Sequence, residues 1–536
     1  MQTPQPSSYP AAVAAWLRAN AWHPDLRAQV EQHAETIRVL VNLDLELARP
    51  ILARCYASCP RGGDPWDPVV LLRCLLLALL VDVPSINDFV PMLRGSPLLR
   101  VLAGLPGHAA DGERVSPGVG TLYDFLHRLH DGPLPRSLQG YRRPSELERL
   151  AGRQPRPPGN RTPKRVKGKK GRPPPEEASA AGKPSDRALA EMRRTRLSGL
   201  PEDLLGRMTD LLWALAVKPS AERGLLGELT SLCVTGDGSP LITGASGLGI
   251  RSCRCDRTKP CDCLRTYSDP DARSGWDAYR GCYFYGHHFY EISVISQGHD
   301  LPIMLRLDPG NQSDHVAGIL TLERVCKTLR DQTEGWRVDC FIADMGHDGS
   351  ATYELCGDHG IRPVIPLNGA PARHPRREDV KLSDRAIPLC KASVEMAAWG
   401  SGGPGKPAFI CPVKAGKIPA CPIAPAAEPD WRCQPDTRYG PVVSVLTHEE
   451  PRLFPAIQRN SATFEELYRL RSGCERSNAI KKGRFKLEAA RHRRSSFWLI
   501  RLHLIAVLQH ALAWGAGVDA RAFVRRLIEP PLAAAA

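Results

Sequence analysis

Three carboxylates stand where chemistry could be done. Asp237 closes the apolar run of SLCVTGD and Asp344 closes that of CFIAD, each followed by a glycine within two residues. Carboxylates at strand ends, with permissive backbone just beyond, sit where α/β sheets gather functional groups. The third, Glu475, belongs to a late segment in which Tyr468, Arg471, Glu475 and Lys482 are offset by 0, 3, 7 and 14 residues. At about 100° per residue these offsets fall at about 0°, 300°, 340° and 320°, a stripe roughly 60° wide on one helix face. That face presents an aromatic hydroxyl, two cations and a carboxylate. Taken alone, Arg471 and Glu475 are an i,i+4 pair worth a few tenths of a kcal/mol, and three acids are equally a ligand set for a hard cation or unrelated surface groups.

The order of short motifs narrows the choice. The spacing Y-x2-R-x3-E-x6-K resembles the YREK signature of bacterial insertion-sequence transposases of the DDE type. Asp237-Gly238-Ser239, Tyr285-Gly286-His287-His288, Pro309 to Asp314 (P-G-N-x-x-D) and Asp344 to Asp348 (D-x-G-x-D) follow in that family's order. The likeness covers roughly residues 225 to 515, and Trp66 to Leu129 is more loosely similar to the helical domain that precedes many such cores.

The resemblance implies an RNase H-like fold, with the two aspartates on neighbouring strands and the glutamate on a helix beyond them. It implies Asp237, Asp344 and Glu475 as catalytic ligands of Mg²⁺, with Mn²⁺ as a substitute, and Asp237 bridging two ions. Mg²⁺ keeps several waters and takes one or two carboxylates plus phosphate oxygens. Two such ions ~3.5 to 4 Å apart serve the attacking and leaving oxygens of an in-line displacement. Water would nick the element's end, and the freed 3′-hydroxyl would attack target DNA. Arg471 and Lys482 would hold phosphates, and Tyr468 would stack or hydrogen-bond near the transposon end. Asp314 and Asp348 rank as turn-forming or supporting residues. Two positions depart from the family: His347 stands where an aromatic, usually tyrosine, is common, and His287-His288 replaces a Gly/Tyr-Lys type stretch.

The elements that must position these groups read as a mixed α/β class. A strand in SLCVTGD, a hairpin of CYFYGHHFYEISVIS and LPIMLRLD joined by QGHD, a helix from His315 to about Leu329 and a strand in WRVDCFIADMG make up the core. Two late helices complete it: FEELYRLRSGCERSNAIKKGRFKLEAA and the apolar, burial-prone FWLIRLHLIAVLQHALAWGA. We assign residues 1–150 to a helical N-terminal domain that could contain a helix-turn-helix and 151–185 to a basic linker. The catalytic domain takes 186–365 and 456–520, and a β-rich insertion takes 366–455. Within the N-terminal domain, Pro68 suits a first helical turn, Ser116 an N-cap with Pro117 after it, and Leu122, Phe125, Leu126 and Leu129 share one face.

The chain carries 72 Lys+Arg against 57 Asp+Glu, a formal charge of +15 and a pI near 9.2. Such a balance points to a polyanionic partner. Residues 153–172 supply nine cations and no acid, among them Lys164, Arg165, Lys167, Lys169, Lys170 and Arg172, in a Pro/Gly-rich tract that resists helix. Residues 469–501 add eleven Lys/Arg against two Glu, so the rest of the chain nets −3.

The apolar stretch Leu75 to Val81 is far short of a membrane span, and no secretory leader is expected. The expected setting is the cytoplasm, associated with the nucleoid. The expected partners are double-stranded DNA, as terminal inverted repeats and target, and a second copy of the chain in a synaptic dimer; no membrane partner is expected. Cys253, Cys255, Cys261 and Cys263 form C-x-C-x5-C-x-C, readable as a structural Zn²⁺ site or as reduced loop thiols. Two rival readings are a catalytically inactive or domesticated DNA-binding protein of transposase origin and a nuclease without strand transfer.

Deleting residues 153–172 should flatten the dependence of log K on log salt by up to about 8, as ~0.9 per phosphate contact implies. DNA-binding titrations between 50 and 200 mM salt, on the order of the range where such contacts dominate, would expose an unchanged slope and so a linker that touches no phosphate.

Overall fold

The computed structural model describes residues 9–20, 23–56, 65–107, 115–132, 204–251, 265–369, 373–374, 377–401, 403, 405–423 and 429–529. The basic tract with Lys164, Arg165, Lys167, Lys169, Lys170 and Arg172 lies outside these residues, as does the cysteine quartet Cys253, Cys255, Cys261 and Cys263. Ahead of the sheet runs a helix, Leu204–Leu212, continued by a π turn over Trp213–Val217.

Six strands form the central sheet: β1 (Leu232–Ile242), β2 (Arg273–Asp277), β3 (Cys282–Ser296), β4 (His299–Pro309), β5 (Val338–Ile342) and β6 (Arg362–Val364). β3 lies antiparallel along β1, and β2 and β4 pair in succession with the far edge of β3. On its other side β1 has β5 as a parallel neighbour, with β6 parallel beyond it. β1 is therefore the strand at which the sheet changes from antiparallel to parallel. From Gly286 to Val294 β3 is buried without a break, as a strand covered on both faces must be. Its turn into β4 is made by Gln297 and Gly298, both at positive φ (51° and 78°), the pairing a two-residue type I′ hairpin requires.

Helices cover the sheet. Asp314–Gln332 is capped by the Ser313 hydroxyl and packs on β1, β3 and β4. Ser495–Trp514 is buried along its length from Ser496 to Ala511. Its length and apolarity match a membrane-crossing helix, but here those side chains face protein: β4 on one side, and Ala34–Asn42, Pro68–Leu80 and Val119–Asp131 on the other.

Because of this helix the N-terminal helices and the sheet share one apolar core, which runs from Val13 to Val524. Charges stitch the same junction: Arg484 pairs with Glu35, Lys486 with Asp82, and the Arg38 guanidinium, buried, bonds the Gly515 carbonyl. The C-terminal helix Ala520–Ile528 also packs on Tyr9–Asn20 and Ala34–Asn42. Pro68 opens its helix with Asp67 as the cap, and Leu122, Phe125, Leu126 and Leu129 are buried together. Ser116 is not a cap: the helix starts at Val119 after Gly118, and the Ser116 hydroxyl accepts instead from Arg94 Nε at 3.4 Å.

Three further expectations need correction. Asp237 does not close a strand, since β1 continues five residues to Ile242 in its pairing with β3; it is β5, the parallel neighbour, that stops at Ile342. The late segment is not one helix. It runs as Ala462–Tyr468, a 3-10 turn Arg469–Arg471, Ser472–Ala479, a π turn Ile480–Arg484 and a 3-10 turn Leu487–Ala489, with Lys486 at φ 44° ending the helical path. A constant 100° per residue does not hold across such turns. The insertion is less β-rich than expected. Its strands are short (Arg373–His374, Arg377–Lys381, Ala397–Ser401, Pro407–Ile410, Val443–Ser444), and the described residues 411–423 and 429–441 are mostly turns and bends, as their Pro and Gly content dictates.

The turn-broken segment is fixed to the sheet by a fully buried ion pair, Glu291 of β3 with Lys481. The Lys481 ammonium also donates to Ser477 Oγ (2.7 Å), which accepts from Gln509 as well (3.1 Å). Removing one member of a buried pair costs about 3 to 5 kcal/mol, whereas an apolar replacement of both is near neutral. Urea unfolding of Glu291→Gln should show that loss and Glu291→Leu with Lys481→Met should recover most of it; equal stability of the single variant and the parent would remove the pair from this role.

Candidate active site

β1 and β5 place the first two carboxylates. Thr235 stands in register with Ile342, so continuing the parallel ladder by two residues sets Asp237 opposite Asp344. Neighbouring strands lie ~4.8 Å apart. β5 has ended by then, and the Asp344 carboxylate caps a 3-10 turn over Met345–His347, accepting from the Gly346 amide at 3.0 Å. On the other side Asp237 is paired in register with Glu291 of β3.

The two aspartates differ in their electrostatics. Burial, followed by the nearby Asp314 carboxylate, pushes Asp237 up from the ordinary 3.8 to about 7, with Asp344 adding to the rise and Arg471 and His347 opposing it. Asp344 moves the other way: its bond to His347 Nδ1 (2.7 Å) holds it below the usual carboxylate range. One group is short of positive charge and the other is supplied with hydrogen bonds.

The Ser472–Ala479 helix, which carries Glu475, packs on β1 beside this pair. It approaches closely because Gly473 has no side chain: a Cβ there would lie 2.2 Å from Ile295 Cδ1 and 2.8 Å from Asp300 Oδ1. Cys474, buried, sits against Thr235 (Sγ to Oγ1 2.7 Å), and Arg476 forks onto Asp300 (2.7 and 2.8 Å). Asn478 donates to Asp237 Oδ2 at 3.4 Å, and its own Oδ1 is buried without a hydrogen-bond partner among the described residues.

Arg471 donates to Glu475 Oε1 at 2.7 Å and also feels the charge of Asp237 and the Tyr468 hydroxyl. Tyr468 stacks on Phe464 with ring centroids 5.7 Å apart, and burial raises its hydroxyl pKa. Tyr468 and Arg471 thus lie on the side of the segment that the aspartates' charge reaches, and Glu475 is tied to them through Arg471. Lys482 does not join them. The π turn carries it along β1 to donate to the Pro240 carbonyl (2.6 Å), beside Glu488 (3.6 Å).

Asp348 is turned away into a cationic pocket, with Arg452 at 2.7 Å, Arg459 at 3.8 Å and the Tyr353 hydroxyl at 2.9 Å. Asp314 stays near Asp237, its Oδ1 2.7 Å from His288 Nε2, and Gly238 exists for that contact, since a Cβ would come within 1.9 Å of Asp314 Oδ1. His287 pairs instead with buried Asp269 at 3.0 Å.

The donors fit a hard divalent cation in part. Two register-matched carboxylates are the oxygen donors the structure brings together, and the raised Asp237 is what a carboxylate short of a cation shows. Glu475 is engaged with Arg471, and among the described residues no three ligand side chains already stand close enough to hold an ion. A third carboxylate ligand therefore requires Glu475 to leave Arg471.

Residues 256–509 match the transposase DDE domain. The matched stretch contains Asp344, Glu475 and the insertion between them, and it starts after Asp237, which the sheet rather than the match joins to Asp344. No curated protein and no solved structure matches the chain. Asn478, Gly473, Cys474 and Lys481 escaped the sequence reading. The i,i+3 relation of Asn478 to Glu475 was the signal that could have found the first of them.

The raised Asp237 has a consequence for stability. A carboxyl whose folded pKa exceeds its unfolded value stabilises fully below the unfolded pKa and loses that contribution as pH climbs to the folded one. The window here runs from about 4 to about 7, and three units correspond to at most about 4 kcal/mol. In chelator, Asp237→Asn should therefore gain on the parent protein as pH rises through this window, seen as a growing gap in urea midpoints. Parallel curves would show that Asp237 carries no such burden.

Proposed function

We propose that the protein is a DDE-type DNA transposase that cuts and joins the ends of its own insertion sequence by two-metal phosphoryl transfer. The observation that carries this reading is the register of Asp237 with Asp344 beneath the helix of Glu475, in a chain whose residues 256–509 match a transposase DDE domain. A sheet in which β3 runs antiparallel to β1 while β5 and β6 run parallel to it supports an RNase H-like core.

Asp237, Asp344 and, after it parts from Arg471, Glu475 are the residues that would hold Mg²⁺ or Mn²⁺, which when bound would activate the attacking oxygen and stabilise the leaving one. Arg471, released by Glu475, would meet a phosphate, and its fork suits two phosphate oxygens. Tyr468 offers a stacked ring and hydroxyl beside it. Lys482 would serve by fixing β1 at Pro240 as much as by meeting DNA. The substrate is double-stranded DNA, first captured by the basic tract 153–172, and the protein works as a dimer in the nucleoid-associated cytoplasm. Zinc at Cys253, Cys255, Cys261 and Cys263 would be structural.

Supercoiled plasmid carrying the element's ends, incubated with Mg²⁺, tests the proposal. Asp237→Asn, Asp344→Asn and Glu475→Gln should each lower cleavage and joining by at least about 100-fold, the scale of losing one preorganised electrostatic contact, with DNA binding retained. Binding without nicking by the parent protein in Mg²⁺ and Mn²⁺ would favour the inactive DNA-binding reading, and cleavage without joined products the nuclease reading.

A further inference from the structure

His347 is wholly buried, yet both ring nitrogens are engaged. Nδ1 meets Asp344 Oδ1 at 2.7 Å and Nε2 meets the hydroxyl of Tyr290 at 2.8 Å. A neutral imidazole has one N–H. The assignment that satisfies both bonds is Tyr290 O–H donating to Nε2 and Nδ1–H donating to Asp344. The Gly346 amide adds a second donor to the same oxygen. Oδ1 is thereby saturated, and Oδ2 is left as the oxygen to face a ligand.

The backbone has made room for this chain of bonds. A Cβ on Gly236 of β1 would lie 2.4 Å from the Tyr290 hydroxyl and 2.7 Å from the Phe341 ring. One on Gly318 of the Asp314–Gln332 helix would lie 2.9 Å from both the Tyr290 hydroxyl and His347 Cδ2. Two glycines on different elements thus form a slot that fits the Tyr290 hydroxyl and the imidazole and little else. Tyr290 is fully buried on β3, and Phe341 of β5 holds the imidazole edge-on at 6.3 Å between centroids.

We infer that Tyr290 and His347 are positioning residues for Asp344, holding its carboxylate so that Oδ2 is presented to a divalent cation. The inference rests on the reading of Asp344 as a metal ligand. Hydrogen-bonded partners behind a ligand fix its orientation and basicity, and their loss costs 10- to 100-fold in metal affinity.

The test is Mn²⁺ binding to the full chain, followed by electron paramagnetic resonance and calorimetric titration without DNA, with a thermal melt for every variant. Asp344→Asn reports on the underlying reading. If it binds Mn²⁺ as the parent protein does, that reading falls. If it weakens binding, His347→Phe should weaken it about 10- to 100-fold. Tyr290→Phe, which removes one oxygen from a packed ring and keeps the fold, should weaken it in the same direction by a smaller factor. His347→Asn, which retains a donor near the Nδ1 position, should bind more tightly than His347→Phe. Parent-like affinity in both His347→Phe and Tyr290→Phe, alongside a weakened Asp344→Asn, would overturn the inference and leave the metal reading intact.

Discussion

The burial of carboxylates beside one another is the constraint from which the rest of this site follows. Two unit charges ~5 Å apart at an effective dielectric of ~20 repel by about 3 kcal/mol. The parallel register of β1 and β5 imposes about that separation on the backbones of Asp237 and Asp344, and Asp314 stands close enough to add to it. The surroundings answer in two ways. Asp344 is saturated on one oxygen by donors from Gly346 and His347, while Asp237, facing the Glu475 helix, has the Asn478 amide and the pull of Arg471 and His347. The uncompensated part is concentrated on one carboxylate.

The same logic explains why the Glu475 segment is broken into short turns. A straight α-helix from Ala462 to Arg484 would send a single stripe of side chains across the sheet. The π turn at Ile480–Arg484 shifts the phase, so that Lys481 points inward to neutralise Glu291 and Lys482 reaches the Pro240 carbonyl. Of the basic residues between 469 and 501, Arg471, Arg476, Lys481, Lys482, Arg484, Lys486 and Arg501 all have protein partners. Much of the positive charge that composition suggested for a DNA-facing surface is spent on holding the helix, the sheet and the N-terminal helices together.

What could be read from the residues was what is local and periodic. The strand of SLCVTGD, the hairpin turning at Gln297-Gly298, the helix after Ser313 and the burial of Leu122, Phe125, Leu126 and Leu129 each follow from apolar spacing and turn chemistry, and they stand where that reasoning puts them. Non-local pairing was not legible. That β1 continues past Asp237 depends on the length of β3, and the phase of Lys482 depends on Glu291, the buried partner of its neighbour Lys481 from a distant strand. The motif order placed Asp237, Asp344 and Glu475 in sequence, but it could not foresee that Glu475 rests on Arg471 or that Asp348 is consumed by Arg452 and Arg459.

The shared core has a consequence for how such a gene decays. The helix Ala520–Ile528 presents a single fully buried residue, Val524, yet it covers apolar faces of Tyr9–Asn20 and Ala34–Asn42 at the opposite end of the chain. A stop codon just before this helix, the last among the described residues, would leave Asp237, Asp344 and Glu475 encoded, but it would uncover the N-terminal helices and weaken the cluster that seats Ser495–Trp514 against β4. Late truncation would thus act through loss of folding rather than through loss of those side chains, and the product would be a sticky, protease-sensitive chain.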